Sequence, residues 1–331
     1  MSKRYHFIPV VGAFFAATLI FAPPLKGQEP SDSGREVRVG LVMTDLSEVR
    51  GAEQAFDADV FLLATWHDPN LAGGSGEART MALLDVWHPT LLIYNQRSVS
   101  ESMPEEVTVH PDGTVTLMQR YQGLFSVNMD LRDFPMDRQE FYVWVVAPIR
   151  AGSRVTLVPD ESLVAYRAES LSISDWEIGE PTLTVKPFQL SPDAPNNPGI
   201  LFSVPGTRLL TYYTVQVLVP LVAVVLMAWA VFWIAPSVVT TRMSVPVTTM
   251  LTLIAYRFML ANYVPRLAYL TRLDWFTVGA TVFVVLTVFA MGASAYLVRR
   301  GREDAVNSID RVGRVAYPVL FGIYSFIVFL I

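Results

Sequence analysis

Four apolar segments fill the chain after Arg208, at about 212–235, 242–264, 275–298 and 312–331. Wound as a helix at 1.5 Å per residue, each is long enough to cross a hydrocarbon core of about 30 Å. Lipid offers the backbone no hydrogen-bond partner, so such segments satisfy themselves as helices. Whatever precedes them must tolerate attachment to a four-helix membrane unit. The chain is 52% hydrophobic overall, and that average conceals two environments. Positions 28–208 carry 26 acidic and 13 basic side chains, a net of −13, whereas 209–331 carry 4 acidic and 9 basic, a net of +5. The division predicts an exported acidic domain at 28–208 and a membrane domain at 209–331. Nucleic acid is excluded as a partner of the acidic part, because phosphate is repelled. The chain has no cysteine, hence no disulfide and no thiolate metal site.

The amino terminus carries Lys3 and Arg4, an apolar run over 7–22, then Pro23, Pro24 and a polar stretch. That layout reads as a signal peptide over 1–27; the alternative is a retained anchor. Export of the acidic part places the loop before Arg242 in the cytoplasm. The linker holding Arg299, Arg300, Arg302, Arg311 and Arg314 falls on the same side, in keeping with the positive-inside tendency. The expected location is the cell (inner) membrane, crossed several times, with the amino-terminal domain extracellular or periplasmic. The linker between the third and fourth spans reads as about a dozen residues, too few for a further domain.

From Glu36 to Val204 the pattern is short runs of β-branched and aromatic residues separated by turn signals. Val107, Thr108 and Val109 lead into Pro111, Asp112 and Gly113, and Thr114 to Leu117 return, which predicts a hairpin. No long stretch here has a 3.6-residue apolar period, so the expected fold is an antiparallel, Ig-like β-sandwich.

Several stretches then fall in the order seen in one family. Residues 61–68, with Trp66 and Asp68, resemble the W-x-D strand of pentameric ligand-gated ion channels. Residues 87–95, with Trp87, Pro89 and Asn95, resemble their W-x-P…N segment. Residues 129–139, with Phe134, Pro135, Asp137 and Gln139, resemble the F-P-x-D-x-Q loop, closed in animal receptors by two cysteines and here matched by Val127 and Phe141. Arg208, Tyr212, Tyr213 and Pro220, and the run 250–269, are similar to the prokaryotic, ELIC-like branch of this Cys-loop receptor superfamily. The resemblance implies an extracellular sandwich followed by a four-helix bundle, assembled from five identical subunits. It implies no cofactor and no enzymatic activity. The four histidines, His6, His67, His88 and His110, are scattered, and there is no Gly-x-Ser-x-Gly nucleophile motif.

The second span is the polar one. Steps of four and three from Ser244 reach Thr248, Leu251, Ala255, Phe258 and Asn262, one helical stripe that is polar at both ends and apolar between. Five copies around an axis would line a water path, with Leu251 and Phe258 as constrictions that close by dewetting. The alternative is that these hydroxyls bond to their own or neighbouring helices. The stretch 239–242 carries neither the acidic nor the Pro-Ala-Arg mouth that marks selectivity in the family. The acidic domain favours monovalent cations, within a screening length of about 8 Å. Arg257 lies off the stripe and is expected either to snorkel or to pair with an acid such as Asp274.

The resemblance puts agonist sites between subunits. It assigns Phe61, Met118, Arg120 and Tyr121 to one face, and Tyr94, Pro148, Ile149 and Phe188 to the other, with 188–198 as the capping loop. The acids of amine-binding members correspond to Leu92 and Val146, so a box for amines is degraded, and protons acting through His67 or His88 are an alternative stimulus. Coupling to the membrane is expected where the turn at Glu48 and Val49, the loop at Phe134, Pro135 and Asp137, the connector at Pro265 and Arg266, and Arg208 meet. Asp137 and Arg208 are expected to form a partly buried ion pair. The competing reading is a membrane-anchored sensor that binds but does not conduct.

Overall fold

Val37, Val39, Leu41 and Met43 fall at every second position, and in the structure they turn one face of a long strand into the core. The computed structural model describes residues 34–73, 76–149, 155–160, 165–260 and 267–330. The signal-peptide expectation over 1–27 lies outside them. Among the described residues thirteen strands are seen: β1 (Arg35–Arg50), β2 (Ala55–His67), β3 (Arg79–Ala82), β4 (Leu92–Ile93), β5 (Gln96–Glu101), β6 (Glu106–Val109), β7 (Thr114–Ser126), β8 (Arg138–Val146), β9 (Val155–Pro159), β10 (Tyr166–Arg167), β11 (Trp176–Ile178), β12 (Thr182–Val185) and β13 (Gly199–Arg208). One sheet runs β10-β1-β2-β7-β6-β3, with β5 also on β7 and β9 also on β1; the other runs β11-β13-β8-β4, with β12 also on β13. Pairing is antiparallel except where β9 and β10 lie parallel to β1. Those two strands arrive by long connections rather than hairpins, which is what parallel pairing requires.

The hairpin expected at Pro111, Asp112 and Gly113 joins β6 to β7, with Val109 opposite Val115. Gly113 has φ +87°, and a Cβ there would lie 2.7 Å from the Asp68 carbonyl oxygen. Asp112 accepts from the Thr114 backbone N–H and hydroxyl, which holds its carboxyl below the ordinary value. Between the sheets Phe56 packs on Phe125 and Phe141, each at 5.5 Å, and Phe141 on Trp176 at 5.1 Å. Each such ring contributes about 1.5–3 kcal/mol by leaving water. Val127 and Phe141, which stand where the animal loop has its cysteines, are both buried, so apolar packing holds the base of that loop.

Among the described residues four helices follow, each long and apolar enough to cross a membrane: α1 (Leu210–Trp233), α2 (Val239–Leu260), α3 (Arg272–Arg299) and α4 (Glu303–Leu330). The linker expected to be about a dozen residues shrinks to Arg300, Gly301 and Arg302, turning on Gly301 at φ +69°. Hydropathy detects only the apolar stretch, whereas α4 begins nine residues earlier as an amphipathic segment that buries Val306 and Asp310. Pro246 lies inside α2, which begins at Val239, ahead of the segment that hydropathy marks from about 242.

Pro220 lacks the N–H that the Gln216 carbonyl would receive, and the preceding turn, Thr214–Leu218, widens to a π-helix. Tyr256 of α2 donates its hydroxyl to the Val217 carbonyl at 2.6 Å and lies 3.4 Å from that of Gln216. The pore-helix candidate thus repairs the backbone of α1. Tyr256→Phe should lower the thermal midpoint of the solubilised protein, through a cost of about 1–3 kcal/mol for an unpaired buried carbonyl. Gly279 serves close approach: a Cβ there would sit 1.9 Å from the Tyr324 ring, so α3 and α4 meet closely at this point.

Candidate functional site: the membrane joint, the polar helix and the aromatic patch

Arg208 ends β13 two residues before α1 begins, and Asp137 immediately precedes β8. β8 and β13 pair along their length, so their ends bring the two charges together. The Arg208 Nε donates to Asp137 Oδ1 at 2.8 Å and a terminal nitrogen to Oδ2 at 3.1 Å, with side chains 5% and 1% exposed. The second terminal nitrogen donates to the Tyr213 hydroxyl at 3.1 Å, and Gln139 donates to Asp137 Oδ2 at 2.8 Å. The guanidinium carbon lies 4.2 Å from the Trp176 ring centre, 5.0 Å from Phe134 and 5.4 Å from Tyr213. Burial alone would lower the guanidinium pKa; the hydrogen bonds and charge of Asp137 outweigh it and hold it above the ordinary value.

The same loop reaches the start of α3. The backbone N–H groups of Arg272 and Leu273, which have no intrahelical acceptor, donate to the carbonyls of Arg132 at 2.9 Å and Phe134 at 3.3 Å. Thr271 and Asp274 close a capping box on that terminus. The Leu131 N–H donates to the Tyr269 hydroxyl at 3.1 Å, and Arg272 Nε to Asp133 at 2.7 Å. Residues 130–137 therefore grip both the first and the third helix.

Not every expected member of this joint takes its expected place. Glu48 and Val49 belong to the end of β1, where Glu48 pairs with Arg50 at 2.9 Å; the turn itself is Gly51–Gln54. It touches the loop through Gln54, whose side-chain oxygen accepts from the Met129 N–H at 2.6 Å. Phe134 and Pro135 are joined by a cis peptide bond, and Phe134 packs on Tyr213 at 5.1 Å. Pro265 and Arg266 lie outside the described residues. Trp176 and Arg272 carry no local mark of their part in this joint, whereas Gln139, Tyr213 and Tyr269 stand in the family-like stretches without their partners being legible there.

On α2, Ser244, Thr248, Leu251, Ala255 and Phe258 are all exposed, with Leu251 at 68% and Phe258 at 75%. Arg242, Pro246, Thr249, Leu253 and Leu260 are buried. Arg242, Pro246, Thr249 and Leu253 each precede a member of the first set by two residues and Leu260 follows Phe258 by two, a step of about 200° around a helix, so the two stripes face opposite ways. Asn262 lies outside the described residues. Ser244 and Thr252 bond back to Thr241 and Thr248 carbonyls, as the alternative reading allowed, but they do so from the exposed side. Arg242 turns from the exposed stripe into the bundle and pairs with Asp310 of α4, their side chains 3% and 4% exposed. Among the described residues Arg257 forms no ion pair with Asp274, whose carboxylate is committed to the cap.

The expected agonist residues form two groups. Tyr94 packs on Phe188 at 4.2 Å, and Trp144, which the sequence did not single out, contacts both at 5.4 and 5.3 Å. Pro148 and Ile149 follow the end of β8, which carries Trp144, and the Ile149 N–H donates to Asn197 of the capping hairpin at 2.8 Å. On the other sheet Phe61 lies across from Arg120 and Leu63 from Met118. Arg120 pairs with Asp59 and sits 5.6 Å from the Phe61 ring. Tyr121 points the opposite way: it is 8% exposed, its hydroxyl pKa is pushed up to about 12 by burial and by Glu101, and it belongs to the core. β-Pleating alternates faces, so Arg120 and Tyr121 could not both face a ligand. Among the described residues the two groups make no contact within one chain.

Residues 24–178 match the neurotransmitter-gated ion-channel ligand binding domain, and residues 217–305 the neurotransmitter-gated ion-channel transmembrane region. A proton-gated ion channel of Gloeobacter violaceus is 22% identical over 314 residues, covering 92% of this chain and 87% of that protein. The gamma-aminobutyric acid receptor subunits alpha-2 of Homo sapiens and Bos taurus are each 26% identical over 298 residues, covering 82% of this chain. The alignment spans 62% of each receptor subunit, less than two thirds of its length.

Proposed function

The chain belongs to the neurotransmitter-gated ion-channel family, a family of membrane-embedded channels and not of enzymes, and from that premise we propose that five copies surround a cation-conducting pore lined by α2. The observation that carries the reading is the pair of opposed stripes on α2. A helix that merely filled a bundle would bury its polar face, yet here Thr249 alone of the threonines at 248, 249 and 252 is buried, while Leu251 and Phe258 stand free. The exposed stripe suits a hydrated axis with apolar constrictions at Leu251 and Phe258. Ser244, Thr248 and Ala255 complete it, and Asn262 continues it by sequence. Arg242 is paired inside the bundle, so no basic ring faces the inner mouth at that position. The net −13 of positions 28–208 favours cations, and a reversal potential near that of chloride in asymmetric salt would overturn the selectivity.

Opening is driven by a small extracellular ligand or by protons, whichever binds the open arrangement better. The ligand faces are the Tyr94, Phe188, Pro148 and Ile149 group of one copy and the Phe61, Met118 and Arg120 group of the next. The stimulus reaches the helices through the joint at Phe134, Pro135, Asp137 and Arg208. The chain has no cysteine, so Thr248→Cys and Leu251→Cys supply the only thiols. Water-borne thiol reagents should change the current through both variants in bilayers. Inaccessibility of both in every functional state would leave the non-conducting sensor as the reading.

A further inference from the structure

Resting on the reading that Tyr94, Trp144 and Phe188 form one half of a ligand site, we propose that this site takes an anion, a small carboxylate with an apolar or aromatic body, and that Lys186 binds its charge. Lys186 is the only lysine after Lys26 in the chain. Its placement is fixed by backbone bonds: its N–H donates to the Gly199 carbonyl at 2.9 Å, and its carbonyl accepts from the Trp144 indole at 3.0 Å. Its ammonium lies 4.9 Å from the Trp144 ring centre, on the ring that both Tyr94 and Phe188 contact. The residue is exposed and, among the described residues, forms no ion pair.

The charges around it decide the ligand class. Leu92 and Val146, the positions where amine-binding relatives are expected to carry acids, are direct cross-strand partners here, and both are apolar. The one acid of the capping hairpin, Asp193, sits at its tip, between the Ser191 carbonyl and the Ala194 N–H that close the turn. The opposing group offers Arg120 already neutralised by Asp59. An amine entering this patch meets a like charge already placed over Trp144, and among the described residues no carboxylate is paired with that ammonium. A carboxylate meets an ammonium with free donors, and its apolar body meets Tyr94, which is 54% exposed, and Phe188.

The test uses the full-length chain in lipid nanodiscs, with phenylacetate, 3-phenylpropanoate and acetate as carboxylate probes and phenethylamine as the matched amine. Acetylation of Lys186 by a water-soluble ester is followed by mass spectrometry, and binding by calorimetry. At least one carboxylate should slow Lys186 acetylation while phenethylamine does not, and Lys186→Gln should weaken that carboxylate about tenfold or more while Lys186→Arg retains it. Failure of every carboxylate to protect Lys186, equal protection by phenethylamine, or unchanged carboxylate binding by Lys186→Gln overturns the assignment. The readout is binding, so a protein that binds carboxylate through Lys186 but never conducts defeats the channel reading alone. A protein that conducts while Lys186 ignores carboxylates defeats this inference alone.

Discussion

Arg208→Ala should yield a protein that neither assembles into a stable oligomer nor passes current. The substitution leaves the Asp137 carboxylate, 1% exposed, with Gln139 as its remaining side-chain donor. Removing one partner of a buried ion pair costs about 3–5 kcal/mol, because the other charge stays buried without compensation. Set against a typical stability of about 5–15 kcal/mol, that is a large fraction. The loss also empties the space between Trp176, Phe134 and Tyr213, whose rings the guanidinium now faces. Arg208→Lys keeps the charge but not the planar fork that meets both carboxylate oxygens, so it should be intermediate. The double variant Asp137→Asn, Arg208→Gln separates folding from transmission, since it removes both charges and keeps hydrogen-bonding groups. It should assemble, seen by size-exclusion chromatography of the solubilised protein, while its response to stimulus is weakened. Normal currents from Arg208→Ala would show that force does not pass through this joint.

The parts of the molecule legible in the sequence are those written in local pattern. Alternation along β1, the Pro111–Gly113 turn and the length of the apolar runs each fix structure within a few residues of themselves. The polar stripe was readable too, since a helix converts spacing directly into a face. What the sequence hid depends on residues far apart in the chain. Tyr269 and Arg272 meet the 130–137 loop across more than a hundred residues, and no local signal marks either for that role. Tyr121 misled because family correspondence gives a position along a strand, whereas pleating decides which way the side chain points. The start of α4 was missed because its first turns are polar, their helicity sustained by packing of Val306 and Asp310 rather than by hydropathy. Trp144 and Lys186 carry no local mark because β13 lies between β8, which holds Trp144, and β12, which Lys186 follows, and they meet only in the fold, through the indole–carbonyl hydrogen bond and the ammonium over the ring.

Asp310→Asn should be nearly as damaging as Arg208→Ala, although Asp310 lies far from every candidate ligand residue. α4 is the helix with the least buried apolar window, presenting Val312, Val315, Val319, Ile323 and Phe326 outward where lipid would lie. Its hold on α2 at this level is a charge pair in which Arg242 is 3% exposed and Asp310 is 4% exposed. The Nε and one terminal nitrogen of Arg242 already have no hydrogen-bond partner among the described residues, so Asp310 is the group that compensates its charge. Neutralising Asp310 strands a cation inside the bundle at a cost of about 3–5 kcal/mol, and assembled protein should fall sharply in size-exclusion profiles. Arg242→Gln combined with Asp310→Asn removes both charges and should recover much of the loss, because the desolvation cost disappears with the charge that incurs it. Recovery in the double variant with collapse in the single one identifies an electrostatic link between α4 and α2. Collapse in both means that shape at Asp310, not charge, holds α4 in place, and tolerance of the single variant means that Arg242 reaches water from within the bundle.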